Sequence, residues 1–160
     1  MKLAALFVGL SLSSFAFAQK KPLDHSVYDQ WQSVKETIIQ PQGQYIVYTI
    51  VPQEGDGQLF IRNISTKEII QIDRGAQAIF SEDGMFVFGK IKPFFAETRK
   101  AKIDKKKADE LPKDSLFIYD IKKAQLDKIA NVKSFQTPSK ANGSLVYLLD
   151  KKPMPFGAPW

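Results

Sequence analysis

Residues 38–48 read Ile38-Ile39-Gln40-Pro41-Gln42-Gly43-Gln44-Tyr45-Ile46-Val47-Tyr48, with apolar and β-branched runs on both sides of a Pro-x-Gly turn. That pattern predicts strand, tight turn, strand. It returns as Ile79-Phe80-Ser81-Glu82-Asp83-Gly84-Met85-Phe86-Val87-Phe88, which puts Gly84 41 residues after Gly43, and more weakly as Asn142-Gly143-Ser144-Leu145-Val146-Tyr147. A second motif interleaves with the first. Leu59-Phe60-Ile61-Arg62-Asn63-Ile64 matches Leu116-Phe117-Ile118-Tyr119-Asp120-Ile121 at four positions of six, and Ile69 and Ile72 then match Leu126 and Ile129 in the same register. Two interleaved motifs that keep register are the mark of an internal repeat rather than of two strands sharing residue types.

The stretch from Gly84 to Leu116 is about twice as long as that from Gly43 to Leu59, so the second unit carries an insertion, roughly Pro93 to Asp114. Beneath it lies a period of about 40 residues with three or four short antiparallel strands per unit, the signature of a β-propeller blade. A small twisted sheet has two apolar faces and buries both only by stacking on neighbours. The expected fold is therefore all-β, a partial β-propeller of two blades plus the first strand of a third. The boundaries fall at about 38–80 for blade 1, 81–135 for blade 2 and 143–149 for the opening of blade 3, after a lead-in segment over 19–37. Propellers close with 4 to 8 blades, so this reading makes the chain the N-terminal piece of a longer protein; two units packed as an irregular β-sandwich are the competing expectation.

The insertion opens with Phe94-Phe95, carries Glu97, Arg99, Lys100, Lys102, Lys105, Lys106 and Lys107, and ends at Leu111-Pro112-Lys113-Asp114. Its Ala, Lys and Glu content predicts a short helix from about Phe95 to Asp109, halted before Pro112. A basic patch for nucleic acid is the sharper reading of these lysines, but aromatic residues stop at Phe95, and a solvated excursion accounts for them.

At the N-terminus, Lys2 precedes an apolar run from Leu3 to Phe17, and Ala16-Phe17-Ala18 is the small-x-small pattern that a signal peptidase accepts before Gln19. The run is short of the ~20 residues a membrane span needs. The expected product is exported, periplasmic or secreted, with no stable membrane anchor and a 1–18 signal peptide removed.

Composition narrows the chemistry. Of 160 residues, 23 are Lys or Arg and 17 Asp or Glu, giving a formal charge of +6 with the two signs interspersed, so no nucleic-acid partner is expected. With no Cys, the chain has neither disulfides nor thiolate metal sites. The single histidine, His25, lies before the first blade, and no Gly-x-Ser-x-Gly elbow, dinucleotide loop, Walker loop or His-Glu-x-x-His occurs. No catalytic, cofactor-binding or metal-ligating residue is assigned. Glu54-Gly55-Asp56-Gly57 fits a hairpin turn better than calcium ligation. The glycosylation triplets at Asn63 and Asn142 carry no weight, since such triplets arise by chance. Tyr28, Trp31, Tyr45, Tyr48, Phe60, Phe86, Phe88, Phe117, Tyr119 and Tyr147 fall mainly in expected strands, where packing between blades is their default role.

One resemblance joins these features. Leu23-Asp24-His25-Ser26-Val27-Tyr28-Asp29 with Trp31, Tyr45-Ile46-Val47-Tyr48-Thr49, Pro52-Gln53-Glu54-Gly55-Asp56-Gly57, Lys90-Ile91-Lys92-Pro93 with Glu97-Thr98-Arg99, and Pro112-Lys113-Asp114-Ser115-Leu116 stand in this order. Together they resemble the N-terminal region of secreted prolyl-oligopeptidase-family serine peptidases of Bacteroidetes-type bacteria. The resemblance implies a propeller that gates peptide access to an α/β-hydrolase domain, the partner expected beyond Trp160, whose Ser, Asp and His cleave peptides. It carries no catalytic residue onto this chain and implies no cofactor. A non-catalytic periplasmic propeller serving as a binding or scaffold protein is the alternative from another class.

Overall fold

A computed structural model of the protein describes Tyr28, residues 31–138 and residues 143–150. The expected signal peptide, the cleavage point at Gln19, His25, Asn142 and the Pro-rich 151–160 segment lie outside the described residues.

Three antiparallel sheets follow one another along the chain. The first is a meander of β1 (Gln32–Ile39), β2 (Tyr45–Pro52), β3 (Gln58–Asn63) and β4 (Ile69–Asp73). The second repeats it with β5 (Gly75–Phe80), β6 (Phe86–Ile91), β7 (Ser115–Asp120) and β8 (Gln125–Ile129), and helix α1 (Phe95–Ile103) enters between β6 and β7. The third pairs β9 (Val132–Gln136) with β10 (Val146–Leu149). This is the expected partial β-propeller, and its repeat is literal. Val47 faces Ile61 and Ile61 faces Ile70 in the first sheet; Phe88 faces Ile118 and Ile118 faces Asp127 in the second.

The sheet boundaries differ from the sequence phasing. The chain passes from the first sheet to the second at Arg74 alone, so Gly75–Phe80 opens the second blade instead of closing the first. Residues 32–37, read as lead-in, are the start of β1; their polar sequence suits a strand exposed along nearly its whole length. The third sheet has β9 ahead of the strand expected there. Helix α1 starts where expected but ends at Ile103 rather than Asp109. Lys105, the first of three consecutive lysines, turns there to a left-handed φ of 52°; another helical turn would set Lys105 and Lys106 three and four residues from Lys102, like charges on one face.

The core lies in the seam between the first two sheets. Val47, Leu59, Ile61 and Ile72 from the first meet Ala78, Phe80, Val87, Ile91, Phe117 and Tyr119 from the second, all buried. Alternation along each strand sends one face into this seam. The opposite face of the second sheet is closed by Phe88 and Leu116, 2% and 0% exposed. Gly75 sets how closely the sheets approach: a Cβ there would stand 2.6 Å from Leu59 Cβ. Gly89 lies under the Phe117 ring, where a Cβ would come within 2.5 Å of a ring carbon. The expected aromatic packing holds for Phe88, Phe117 and Tyr119, and the half-buried Tyr48 and Phe60 stack across β2 and β3 at 5.3 Å. Trp31 and Tyr147 are exposed instead, at 55% and 42%.

Candidate functional site: a cleft between the first two sheets

At one rim, the repeated turns interlock. The Gln40 side-chain amide donates to the Gly84 carbonyl at 2.7 Å, and that of Gln42 donates to the Asp83 carbonyl at 3.0 Å. Each turn is also braced from within. Gln40 Oε1 accepts from the Gln44 and Tyr45 N–H groups, and Ser81 Oγ, one repeat later, accepts from the Phe86 N–H. Ser81 in turn donates to Asp83, which also accepts from the Met85 N–H, and these bonds hold the Asp83 carboxyl below the usual range. These groups shape the turns.

Mid-strand, β1 and β5 each carry a bulge with one residue in the left-handed region, Glu36 (φ 52°) and Gln77 (φ 53°). The two bulges meet. Glu36 Oε2 accepts from the Gln77 N–H at 2.6 Å and from the buried Thr49 hydroxyl at 3.3 Å.

At the opposite rim the insertion folds back onto the β2–β3 hairpin. The Asp56 carboxylate accepts from the Phe95 N–H at 2.8 Å, capping α1 from another element, and Glu54 pairs with Arg99 at 2.9 Å. The acidic Gly turn and the basic insertion, separate features in the sequence, are thus partners. Arg74 stands at the crossover between the sheets with its guanidinium carbon 3.6 Å from the centre of the Phe94 ring. Its N–H donates to the Gly57 carbonyl, and its own carbonyl accepts from the Lys92 N–H.

These elements enclose a cleft of about 480 Å³. Its walls are Val51, Ala76, Phe95, Leu111 and Pro112; its charged groups are Lys35, Glu36, Asp56, Arg74, Lys92 and Asp114. The carboxylates are engaged: Glu36 and Asp56 as above, and Asp114 with Lys90 at 3.1 Å. Lys35 and Lys92 carry no ion pair among the described residues. Among those residues no group of three or more His, Asp or Glu side chains is placed to hold a metal ion, and no helix is long and apolar enough to cross a membrane. The arrangement can bind an anion; nothing described in it pairs a nucleophile with a base.

Sequence reasoning assigned no site residue and missed this cleft, because its three cations come from the middle of β1, the end of β6 and a one-residue crossover. The only signal was Asp73-Arg74-Gly75, a break between two β runs. Asn63, set aside as a glycosylation site, spends its side-chain oxygen on the Ser65 and Thr66 N–H groups within a turn.

No protein-family model matches the chain, and no curated protein matches it. Among solved structures it is similar to an acylaminoacyl peptidase from Pyrococcus horikoshii, with a TM-score of 0.52 at 10% identity over 74% of this chain and 18% of that one. It is also similar to the β-propeller domain of the Trilobed protease from Pyrococcus furiosus, with a TM-score of 0.49 at 13% identity over 74% of this chain and 34% of that one. The likeness to the acylaminoacyl peptidase is one of fold, and the chain spans less than a fifth of that protein's length.

Proposed function

We propose that the chain is the N-terminal propeller portion of an exported prolyl-oligopeptidase-family serine peptidase, and that its blades limit peptide access to an α/β-hydrolase domain supplied by the rest of the protein. The observation that carries this reading is the pair of four-stranded meanders stacked face to face, a fold similar to part of an acylaminoacyl peptidase. The quoted Glu54-Gly55-Asp56-Gly57 turn and basic insertion support it, since they fold onto one another as a single structural unit. Mechanistically the blades act as a sieve. Stacked sheets held by a shared core and by three sets of polar contacts move little, so a closed ring of them admits short or unfolded chains and turns away folded ones. The chemistry of cleavage belongs to the hydrolase domain.

An antiserum against this chain, applied to the exported fraction of cells expressing the natural gene, tests the reading. A fluorophosphonate probe that labels activated serines is expected to mark the recovered protein, with its N-terminus at Gln19. Recovery of an unlabelled protein would leave the non-catalytic binding or scaffold reading in its place.

A further inference from the structure

The geometry points to a carboxylate-binding site at Arg74, in the cleft between the first two sheets, that takes an organic acid with an apolar body such as the C-terminus of a short peptide. Arg74 is the whole crossover from β4 to β5 and sits in the left-handed region with φ 60°. That conformation is uncommon for a long side chain and easy for asparagine. At the next crossover, between β8 and β9, the left-handed position is filled by Asn131 (φ 58°). The backbone bonding there corresponds: the Arg74 carbonyl accepts from the Lys92 N–H, and the Asn131 carbonyl accepts from the Asp150 N–H. The backbone needs of the crossover are thus met by asparagine in one repeat, and the arginine in the other stands out as a residue present for its side chain.

That side chain is held ready. Phe94 covers one face of the guanidinium, which leaves its in-plane N–H donors free, and they have no acceptor among the described residues. A guanidinium fixed by its face presents a flat fork that matches the two oxygens of a carboxylate. Lys35 and Lys92 add positive charge from the same cleft, and its own carboxylates are already bonded elsewhere. The apolar walls at Val51, Ala76 and Leu111 would receive the body of the acid, and a volume of about 480 Å³ suits a ligand of a few residues.

This inference does not rest on the peptidase reading, and the labelling experiment above does not report on it. Its test titrates the full chain with N-acetyl-Ala-Pro-Leu bearing a free C-terminal carboxylate, with the C-terminal amide of the same peptide, and with hexanoate. Binding is read by calorimetry and by the backbone amide resonances of Gly57, Gly75 and Lys92. The free acid is expected to bind at least tenfold more tightly than the amide and to shift those resonances. Arg74→Lys, which keeps the charge without the fork, and Arg74→Asn, which suits the left-handed backbone, are each expected to lose at least tenfold. Melting of the Arg74→Asn variant at or above the parent temperature shows that the loss is not one of folding. Hexanoate binding as tightly as the peptide acid identifies a free organic acid as the ligand, by the same carboxylate chemistry. Equal binding of acid and amide, parental binding by Arg74→Asn, or shifts confined to residues outside the cleft would overturn the assignment.

Discussion

Replacing Gly75 by alanine tests whether the two meanders are packed to contact. The added Cβ would lie 2.6 Å from Leu59 Cβ, 3.1 Å from the Ile72 carbonyl oxygen and 3.3 Å from Ile72 Cγ2. Carbon atoms in contact prefer about 3.5–4.0 Å, so the sheets must part by roughly 1 Å. Neither the Leu59 Cβ nor the Ile72 carbonyl can rotate aside, and Leu59 and Ile72 are 0% and 2% exposed. Overpacking of this kind costs about 1–3 kcal/mol. The loss of chain entropy in the unfolded state returns about 0.4–1 kcal/mol. The expected net effect is a destabilisation of about 1–2 kcal/mol, or a melting temperature lower by roughly 3–10 °C. Thermal melts and urea titrations followed by far-ultraviolet circular dichroism measure it. Gly43→Ala is the control, because its position has no atom within 4 Å of the added Cβ and a φ of 71°. It reports backbone strain without crowding. A Gly75→Ala protein that melts at or above the parent temperature would show that the sheets do not meet at Leu59, and the packing described for the first seam would be wrong.

Phe117→Ala, at a side chain 0% exposed, is expected to cost about 3–5 kcal/mol in urea unfolding, and an effect under 1 kcal/mol would contradict its place in the core. Asp56→Ala removes the cap on α1 and should speed amide exchange through Phe95–Ile103, with about 1 kcal/mol of local stability lost. Arg99→Ala, in an ion pair whose side chains are 59% and 51% exposed, should shift overall stability by less than about 0.5 kcal/mol. The Asp83 carboxyl is held below its unfolded value, so its contribution is present above about pH 4 and lost as the pH falls through the depressed folded value. Melting temperatures of parent and Asp83→Asn should therefore converge in acid and differ near neutrality, and a constant gap across that range would refute the assignment.

What the sequence showed and what it hid divide along physical lines. Strands β2, β3, β6 and β7 were legible because alternating or continuous β-branched and aromatic residues leave few other conformations. The insertion was legible as a departure from the repeat. The first six residues of β1 were hidden, although Ile38 and Ile39 were legible: Gln32, Ser33, Lys35, Glu36 and Thr37 carry no apolar period, because this part of the strand borders solvent and its place comes from pairing with β2. The phase of the blades was hidden for a related reason. The strongest local signal is the Pro-x-Gly or Asp-Gly hairpin, which joins two strands of one sheet, whereas the passage between sheets is a single arginine. The Glu36–Gln77 contact brings together two bulges that no local pattern announces. The cleft, which depends on these features, was out of reach for the same cause.

The bonds that hold the sheets together are unequal in kind, which sets how the array responds to salt. The first seam is fastened by two glutamine amides, by a carboxylate reaching a neighbouring bulge and by a continuous apolar core. The second relies more on lysine: Lys90 Nζ donates to the Lys133 carbonyl at 3.2 Å, and Lys113 pairs with Asp150 at 3.0 Å. Salt weakens contacts of the second sort and leaves buried apolar area nearly untouched. Rising ionic strength is therefore expected to loosen the lysine contacts of the third sheet more than the amide bonds and apolar core of the first seam, so the array is graded in its sensitivity to salt along the chain.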